Sequence, residues 1–219
     1  MSRASIALVL AGVLALGACT SSPDDAGTLP SGHPTAATGD YTQTDATLAA
    51  AIGKVSVNGT LLQAFPVDLV RKDSGLPSTD PAKCNYAATG YLEQVLAGRP
   101  AGYAFTNARL TVTIVDMGGD AGAKQQVARR DTALDDPGCA TVRTTYQGQT
   151  ATSTLKAVNL VAAGLESPRG MVSTSSDGTS SNAEVSGRKG NVLVHVAQQG
   201  STDVTRLADI AADLGAALG

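Results

Sequence analysis

The side chains best suited to chemistry in this sequence are three cysteines and two histidines. A cysteine can carry a lipid, form a disulfide, bind a metal or act as a nucleophile, and a histidine can be a general base or a metal ligand. Zinc catalysis needs about three converging ligands, and these residues do not have that spacing. A nucleophilic serine needs a neighbouring base, and only His195 lies where we expect folded structure, because His33 falls in a polar linker. We therefore predict no catalytic residue, no metal site and no cofactor.

Two further segments could suggest chemistry. His195 lies in NVLVHVAQ, which reads as a strand that is apolar on both faces, so we expect a buried or edge histidine. A hydrolase would be the alternative, and it predicts that His195→Ala abolishes turnover. The segment MGGDAGAK resembles a phosphate-binding loop, but Ala123 and Gln125 stand where that motif needs Gly and Ser or Thr. It is better interpreted as a turn between a strand and a helix.

The amino terminus has the pattern of an export signal. Arg3 precedes an apolar run over residues 6–18, which is shorter than the about 20 residues that span a bilayer. The run ends in Leu16-Gly17-Ala18-Cys19, which resembles the lipobox of bacterial lipoproteins. That resemblance implies a lipoprotein signal peptide over residues 1–18 and lipidation of Cys19 with acyl chains such as palmitate. Two or more such chains hold a protein stably at a membrane.

Residues 19–44 are predicted to form a disordered polar tether, since they contain too few apolar side chains to bury. A tether of about 25 residues reaches roughly 25–30 Å. Residues 45–219 are expected to form a single domain beyond it, on the extracytoplasmic face of the cell membrane. The net charge of −3 and the absence of a basic stripe argue against nucleic acid as a partner.

Cys84 and Cys139 remain once Cys19 is assigned. An even pair of cysteines in an exported protein predicts a disulfide, which would contribute up to about 4 kcal/mol for a loop of this length. Two buried free thiols are the alternative.

Hydrophobic periodicity and turn residues predict an α+β domain, in which an antiparallel sheet has flanking helices packed on one face. Asp45 and Thr202 are the candidate caps of the first and last helices, and Asn58-Gly59 is a candidate hairpin turn. Residues 78–100 are ambiguous. The other predicted elements are helices over 45–51, 122–136 and 202–218, a strand over 108–117, a hairpin over 140–161 and three strands within 170–197.

Four of the seven aromatic residues lie close together in the sequence, at Tyr86, Tyr91, Tyr103 and Phe105. They could cover one end of an aliphatic core. They could also form the wall of a ligand groove, because a tyrosine offers an apolar ring with a polar tip.

The lipobox, the tether, the cysteine spacing, the strand RKGNVLVHVAQQG and the Ala-rich closing helix together resemble one family. They are similar to actinobacterial lipoproteins related to the extracellular sensor domain of mycobacterial receptor Ser/Thr kinases, over roughly residues 45–219. The resemblance implies an α+β fold with a candidate ligand cleft. Such sensors usually have two disulfides and this chain has cysteines for one, so no cleft residue is transferred.

These observations predict a non-enzymatic, lipid-anchored binding or sensor-like module of the cell envelope. Its partners would be the membrane, through the anchor, and a small molecule, lipid or envelope protein that the sequence does not identify. The alternative is a carrier for a lipid or glycolipid, which would need a large apolar cavity.

Overall fold

The computed structural model describes residues 40–67, 77–88, 99–107 and 109–219. Cys19, Tyr91, the predicted signal peptide and most of the predicted tether lie outside these residues. The helices whose whole range is described are α1 (Asp45–Ile52), α2 (Asp120–Asp135) and α3 (Val204–Ala217), and two 3-10 turns cover Ala82–Cys84 and Pro137–Cys139. The strands are β1 (Ser56–Val57), β2 (Thr60–Leu61), β3 (Ala64–Phe65), β4 (Ser78–Asp80), β5 (Ala101–Phe105), β6 (Leu110–Asp116), β7 (Thr141–Tyr146), β8 (Gln149–Asn159), β9 (Glu166–Ser175), β10 (Ser181–Lys189) and β11 (Val192–Gln199).

Nine of these strands form one antiparallel sheet in the order β3-β5-β6-β11-β10-β9-β8-β7-β4. The predicted hairpin and the three predicted strands after it are confirmed as the consecutive strands β7 to β11. The strands β1 and β2 form a separate hairpin, in which Asn58 and Gly59 have φ values of 53° and 79°. Positive φ at both positions is what a two-residue type I′ turn requires, so the predicted turn is also confirmed.

One face of the sheet, which we call the aliphatic face, is covered by α1 and α3. Alternate residues of the neighbouring strands β6 and β11 point to it, because successive side chains of a strand lie on opposite faces. These residues are Leu110, Val112 and Ile114 of β6 and Val192, Val194 and Val196 of β11. A Cβ atom on Gly102 would lie 2.9 Å from a backbone atom of Leu48 in α1, so only glycine permits this close packing of helix on strand.

The caps of the first and last helices each lie one residue away from the predicted positions, at Thr44 instead of Asp45 and at Asp203 instead of Thr202. Thr44 caps α1 through a reciprocal pair of hydrogen bonds with Thr47, while Asp45 Oδ1 accepts a hydrogen bond of 2.7 Å from the backbone N–H of Ala101. The carboxylate of Asp45 therefore ties the helix to β5. In α3 the cap is Asp203, whose Oδ1 accepts from the N–H of Arg206 at 3.0 Å.

The helix α2 lies against the opposite face of the sheet. Its Ala123 and Val127 pack with Tyr103, Val115 and Leu193 in a second buried cluster. The α+β class and the antiparallel sheet are confirmed, and packing on one common face holds for α1 and α3 but not for α2. The helix α2 is mostly polar and buries only a narrow stripe of side chains, among them Ala123 and Val127. A stripe this narrow does not indicate in the sequence which face of the sheet it will cover.

Cys84 and Cys139 form the predicted disulfide, with a Cα–Cα distance of 5.4 Å. It joins the two 3-10 turns and packs against Val142 of β7. Beside it, Lys83 Nζ lies 2.7 Å from a carboxylate oxygen of Asp136, and this lysine together with the N–H of Gly138 lowers the pKa of Asp136. Residues 78–84 of the ambiguous segment are thus β4 followed by a turn, and residues 89–98 lie outside the described residues.

Candidate functional site

The face of the sheet that α2 partly covers carries an unusual number of buried polar side chains, and we call it the polar face. In the register of the sheet, His195 of β11 lies between Thr113 of β6 and Ser186 of β10. Directly opposed residues of antiparallel strands share a face, so these side chains are neighbours. Thr113 and His195 are 2% and 7% exposed. Buried polar groups lower stability unless they have hydrogen-bond partners, so a face that buries several of them is a candidate functional site.

Glu184 of β10 is the centre of a hydrogen-bonded group on this face. One of its carboxylate oxygens lies 3.2 Å from Nε2 of His195, and the other accepts a hydrogen bond of 2.5 Å from Nδ2 of Asn182. The side chains of His195 and Glu184 are largely buried in this arrangement. A carboxylate can be buried at tolerable cost when it is paired in this way, so the two neighbours hold the charge of Glu184 in a fixed position.

The contact with Glu184 also fixes the orientation of the Asn182 amide. A flipped amide would place its carbonyl oxygen against the carboxylate, which is repulsive, so Nδ2 must face Glu184. The other end of the amide, Oδ1, is buried and has no hydrogen-bond donor in the part of the chain that the structure describes. Such an unsatisfied acceptor costs about 1–3 kcal/mol, and native structures contain few of them.

Two shallow clefts on the polar face are both lined by Met171 and Glu184. The first cleft runs between α2 and the sheet, has a volume of about 50 Å³ and includes Tyr86, Arg130 and His195 in its lining. The second lies over β7 to β10 and has a volume of about 60 Å³. Met171 and Glu184 therefore lie between the two clefts, and Asn182 lines the second.

Hydroxyl groups and aliphatic side chains line the second cleft. Thr144, Ser153 and Ser173 come from three neighbouring strands, and each brings a hydroxyl to the lining of this cleft. Val142 and Leu155 provide an apolar surface among them and also pack against the disulfide. Among the described residues that line this cleft, only Glu184 is ionisable. The second cleft is therefore polar but almost uncharged.

The two arginines that line the first cleft are committed to structural contacts. Arg130 of α2 donates to the backbone oxygens of Ser186 at 2.8 Å and Ser167 at 2.7 Å, and Arg169 of β9 pairs with the carboxylate of Asp135. These bonds hold α2 on the sheet. The positive charges of the first cleft are thus already neutralised or hydrogen-bonded by the protein.

Of the four aromatic residues singled out in the sequence, the three that the structure describes lie in different surroundings. Tyr86 is half-buried and lines the first cleft near His195. Tyr103 lies within the second buried cluster, where burial raises the pKa of its hydroxyl. Phe105, two residues further along β5, is 38% exposed. Tyr91 lies outside the described residues, so the predicted groove retains Tyr86 at the cleft.

Sequence reasoning missed Asn182, Glu184 and Ser186, which provide most of the polar chemistry of the site. A signal was present, because these polar residues alternate with Ala183, Val185 and Gly187 as the two faces of a strand do. No three His, Cys, Asp or Glu side chains converge as metal ligands among the described residues. In those same ranges no helix is long and apolar enough to cross a membrane.

No protein-family model matches the sequence, and no curated protein matches it significantly. The structure is similar to the crystal structure of the extracellular domain of PknH from Mycobacterium tuberculosis, with a TM-score of 0.55 and 15% sequence identity. That match covers 82% of this chain and 98% of the PknH domain. An Rv0999 ortholog from Mycobacterium smegmatis matches with a TM-score of 0.39 and 16% identity over 72% of this chain and 85% of that one. At this identity, the similarity to PknH shows a shared fold. The shared fold supports the resemblance to extracellular sensor domains that the sequence indicated, as a resemblance of fold.

Proposed function

We propose that this protein is a lipid-anchored, non-enzymatic binding or sensor-like module on the extracytoplasmic face of the cell membrane. In this proposal Cys19 carries the anchor and the polar face carries the binding site. The observation that carries the proposal is the hydrogen-bonded group of Asn182, Glu184 and His195 at the two shallow clefts of the polar face. A fold shared with an extracellular domain supports the location.

A binding role fits this site better than catalysis does. Glu184 occupies Nε2 of His195, and the imidazole is 7% exposed, so that nitrogen is not presented to a substrate. A general base must reach the proton that it removes, within about 3 Å or through one water. A fixed, buried group beside an open cleft is instead suited to selecting a ligand by hydrogen bonding.

The alternative of a lipid or glycolipid carrier gains no support from the cleft volumes. Pockets that enclose a small ligand typically have volumes of about 300–1,000 Å³. Three clefts that the described residues line have volumes of about 50, 60 and 90 Å³, all well below that range. A carrier would show a co-purifying lipid in native mass spectrometry of the protein extracted from its own membrane.

The anchor is tested by fractionating cells that produce the wild type, Cys19→Ser and the neighbouring control Ser21→Ala. We expect the wild type and the control in the membrane fraction, and the Cys19→Ser product released or retained as uncleaved precursor, because it lacks the thiol that receives the lipid. The intact mass of the mature wild type should exceed that of its amino acids by the acyl groups. A Cys19→Ser product that fractionates like the wild type would refute the anchor.

The binding site is tested by placing a photo-crosslinking amino acid at Ser173 or at Thr174 in the full chain. These adjacent residues of β9 lie on opposite faces of the sheet, because successive side chains of a strand alternate. Ser173 pairs with Asn182 and so lies on the polar face. Irradiation of intact cells should yield an adduct at position 173 and none at position 174. Equal labelling at both positions, or none at either, would argue against the polar face as the binding surface.

A further inference from the structure

We infer that the second cleft binds a neutral, polyhydroxylated ligand, such as one ring of a saccharide. This inference rests on the proposed binding function and identifies the chemical class of the ligand. It follows from one unsatisfied acceptor and the hydroxyls that line the cleft, from its charge and from its apolar surface.

The buried end of the site requires a hydrogen-bond donor. Oδ1 of Asn182 is an acceptor without a donor among the described residues, and Glu184 holds the amide so that this oxygen cannot exchange places with Nδ2. Asn182 itself is 8% exposed and lies in the lining of the cleft. A ligand that donates an O–H to this oxygen would satisfy a group that the fold leaves unsatisfied.

The outer part of the cleft presents groups that both donate and accept. Ser173 lies in register with Asn182, and Ser153 and Thr144 follow on the next two strands. Neighbouring strands are about 4.8 Å apart, so the hydroxyls form a two-dimensional array. Because a hydroxyl can donate one hydrogen bond and accept others, this array complements a ligand that carries several hydroxyls of its own.

The charge of the cleft disfavours the other small polar ligands. Glu184 is its one ionisable residue within the described lining, and the arginines of the adjoining cleft are bound to Asp135 and to backbone oxygens. A phosphate or a carboxylate would meet no cation among the described lining residues and would be repelled by Glu184. A cation would find one carboxylate, but both of its oxygens already accept hydrogen bonds or contact His195.

The apolar groups of the cleft fit the remaining surface of a sugar. Val142, Leu155 and Met171 lie among the hydroxyls and can pack against the C–H groups of a ring. With a volume of about 60 Å³ the cleft is shallow. A ring would therefore lie across its mouth, with one edge directed at Asn182 and the other in solvent.

The test is an NMR titration of the full mature chain in detergent micelles. The probes are glucose, mannose, galactose and N-acetylglucosamine as neutral sugars, inorganic phosphate as an anion and ethanolamine as a cation, each at millimolar concentrations. At least one sugar should shift the amide signals of Ser153 and Ser173 and the side-chain amide of Asn182 in a saturable manner. The two ions should leave these signals unchanged.

Asn182→Leu should weaken the affinity for that sugar by about tenfold or more, because the buried acceptor is lost. Thr174→Ala on the opposite face of the same strand should leave it unchanged. If Asn182→Leu fails to fold, the double variant Ser153→Ala and Ser173→Ala replaces it, with folding checked in the same spectra. An unchanged affinity in a folded cleft variant would overturn the inference.

The outcomes separate this inference from the proposed function. Shifts caused by phosphate or ethanolamine but by no sugar would overturn the assigned ligand class and leave the cleft as a binding site. The absence of shifts with every probe would overturn the sugar assignment, while crosslinking at position 173 independently decides whether the polar face binds anything.

Discussion

The two faces of the sheet are built from the same strands yet have opposite character. On β6, Val112 and Ile114 point to the aliphatic face and are fully buried, while Thr111 and Thr113 point to the polar face and are nearly as buried. The aliphatic face gains stability from every residue that it buries. The polar face buries groups that lower stability unless they are partnered. Function is commonly found where a protein accepts such a cost, so the aliphatic face stabilises the fold and the polar face is the place where we propose binding.

The largest effect should follow from a truncation on the aliphatic face. Ile114→Ala removes a fully buried side chain beneath α1 and α3, and substitutions of this kind typically cost about 2–5 kcal/mol. Urea denaturation of the wild type and the variant would measure the change in the free energy of unfolding. A loss below about 1 kcal/mol would mean that this face tolerates cavities, which would break the proposed division between the faces.

A substitution at the neighbouring residue Thr113 should change the free energy of unfolding in the opposite direction. Its Oγ1 is buried without a hydrogen-bond partner in the described part of the chain, and valine has nearly the same shape. Thr113→Val should therefore raise the free energy of unfolding by about 1 kcal/mol, because a hydroxyl buried without a partner is removed. The same urea experiment measures it.

Ile114→Val is the matched control for Thr113→Val, since it also leaves valine on β6 but on the aliphatic face. It should cost about 0.5–1.5 kcal/mol. If Thr113→Val also destabilises the protein, the hydroxyl has a favourable interaction, and the polar face would then contribute to stability like the other face.

Much of the fold could be predicted from local sequence patterns. Alternation of apolar residues predicted β6 and the strands β7 to β11, and the spacing of Leu207, Ile210 and Leu214 predicted α3. These patterns succeed because both central strands bury one face under helices. The disulfide followed from the export signal and an even cysteine pair, which are properties that do not depend on topology.

The position of α2 and the candidate site could not be predicted in the same way. An arginine in a polar helix is expected to be exposed, yet Arg130 of α2 is buried. Its hydrogen bonds to the backbone oxygens of Ser186 and Ser167 explain this burial. Asn182 and Glu184 alternate with apolar residues as a solvent-facing strand would. Their burial depends on strand order, because β11 brings His195 beside β10 and α2 covers the neighbouring part of the face. No local pattern contains that information.

The smallest effect concerns the turn between β9 and β10 at the edge of the second cleft, where Ser175 and Ser180 contribute to the lining. The hydroxyls of Ser175 and Thr179 and the backbone N–H of Thr179 all donate to Oδ1 of Asp177. The bond from Ser175 is the largest cause, and together the donors lower the pKa of Asp177 from 3.8 to about 2.

Because the pKa of Asp177 is lower in the folded state, its ionised form stabilises the turn at every pH above about 4. That contribution is lost as the pH falls from about 4 through about 2, where the carboxylate takes up a proton in the folded protein. Asp177→Asn keeps an acceptor but removes the charge. It should be slightly less stable than the wild type at pH 7, and the difference should shrink near pH 2, as followed by urea denaturation at each pH.

The exposure of this carboxylate makes the effect small, since solvent screens exposed charges. A direct check is the pKa of Asp177 from the pH dependence of its side-chain NMR signal, in the wild type and in Thr179→Val. Loss of the Thr179 hydroxyl should raise the value. A pKa near 4 in the wild type would mean that the turn is not held by its carboxylate. The cleft edge would then be freer to move than the rigid hydroxyl array of the polar face requires.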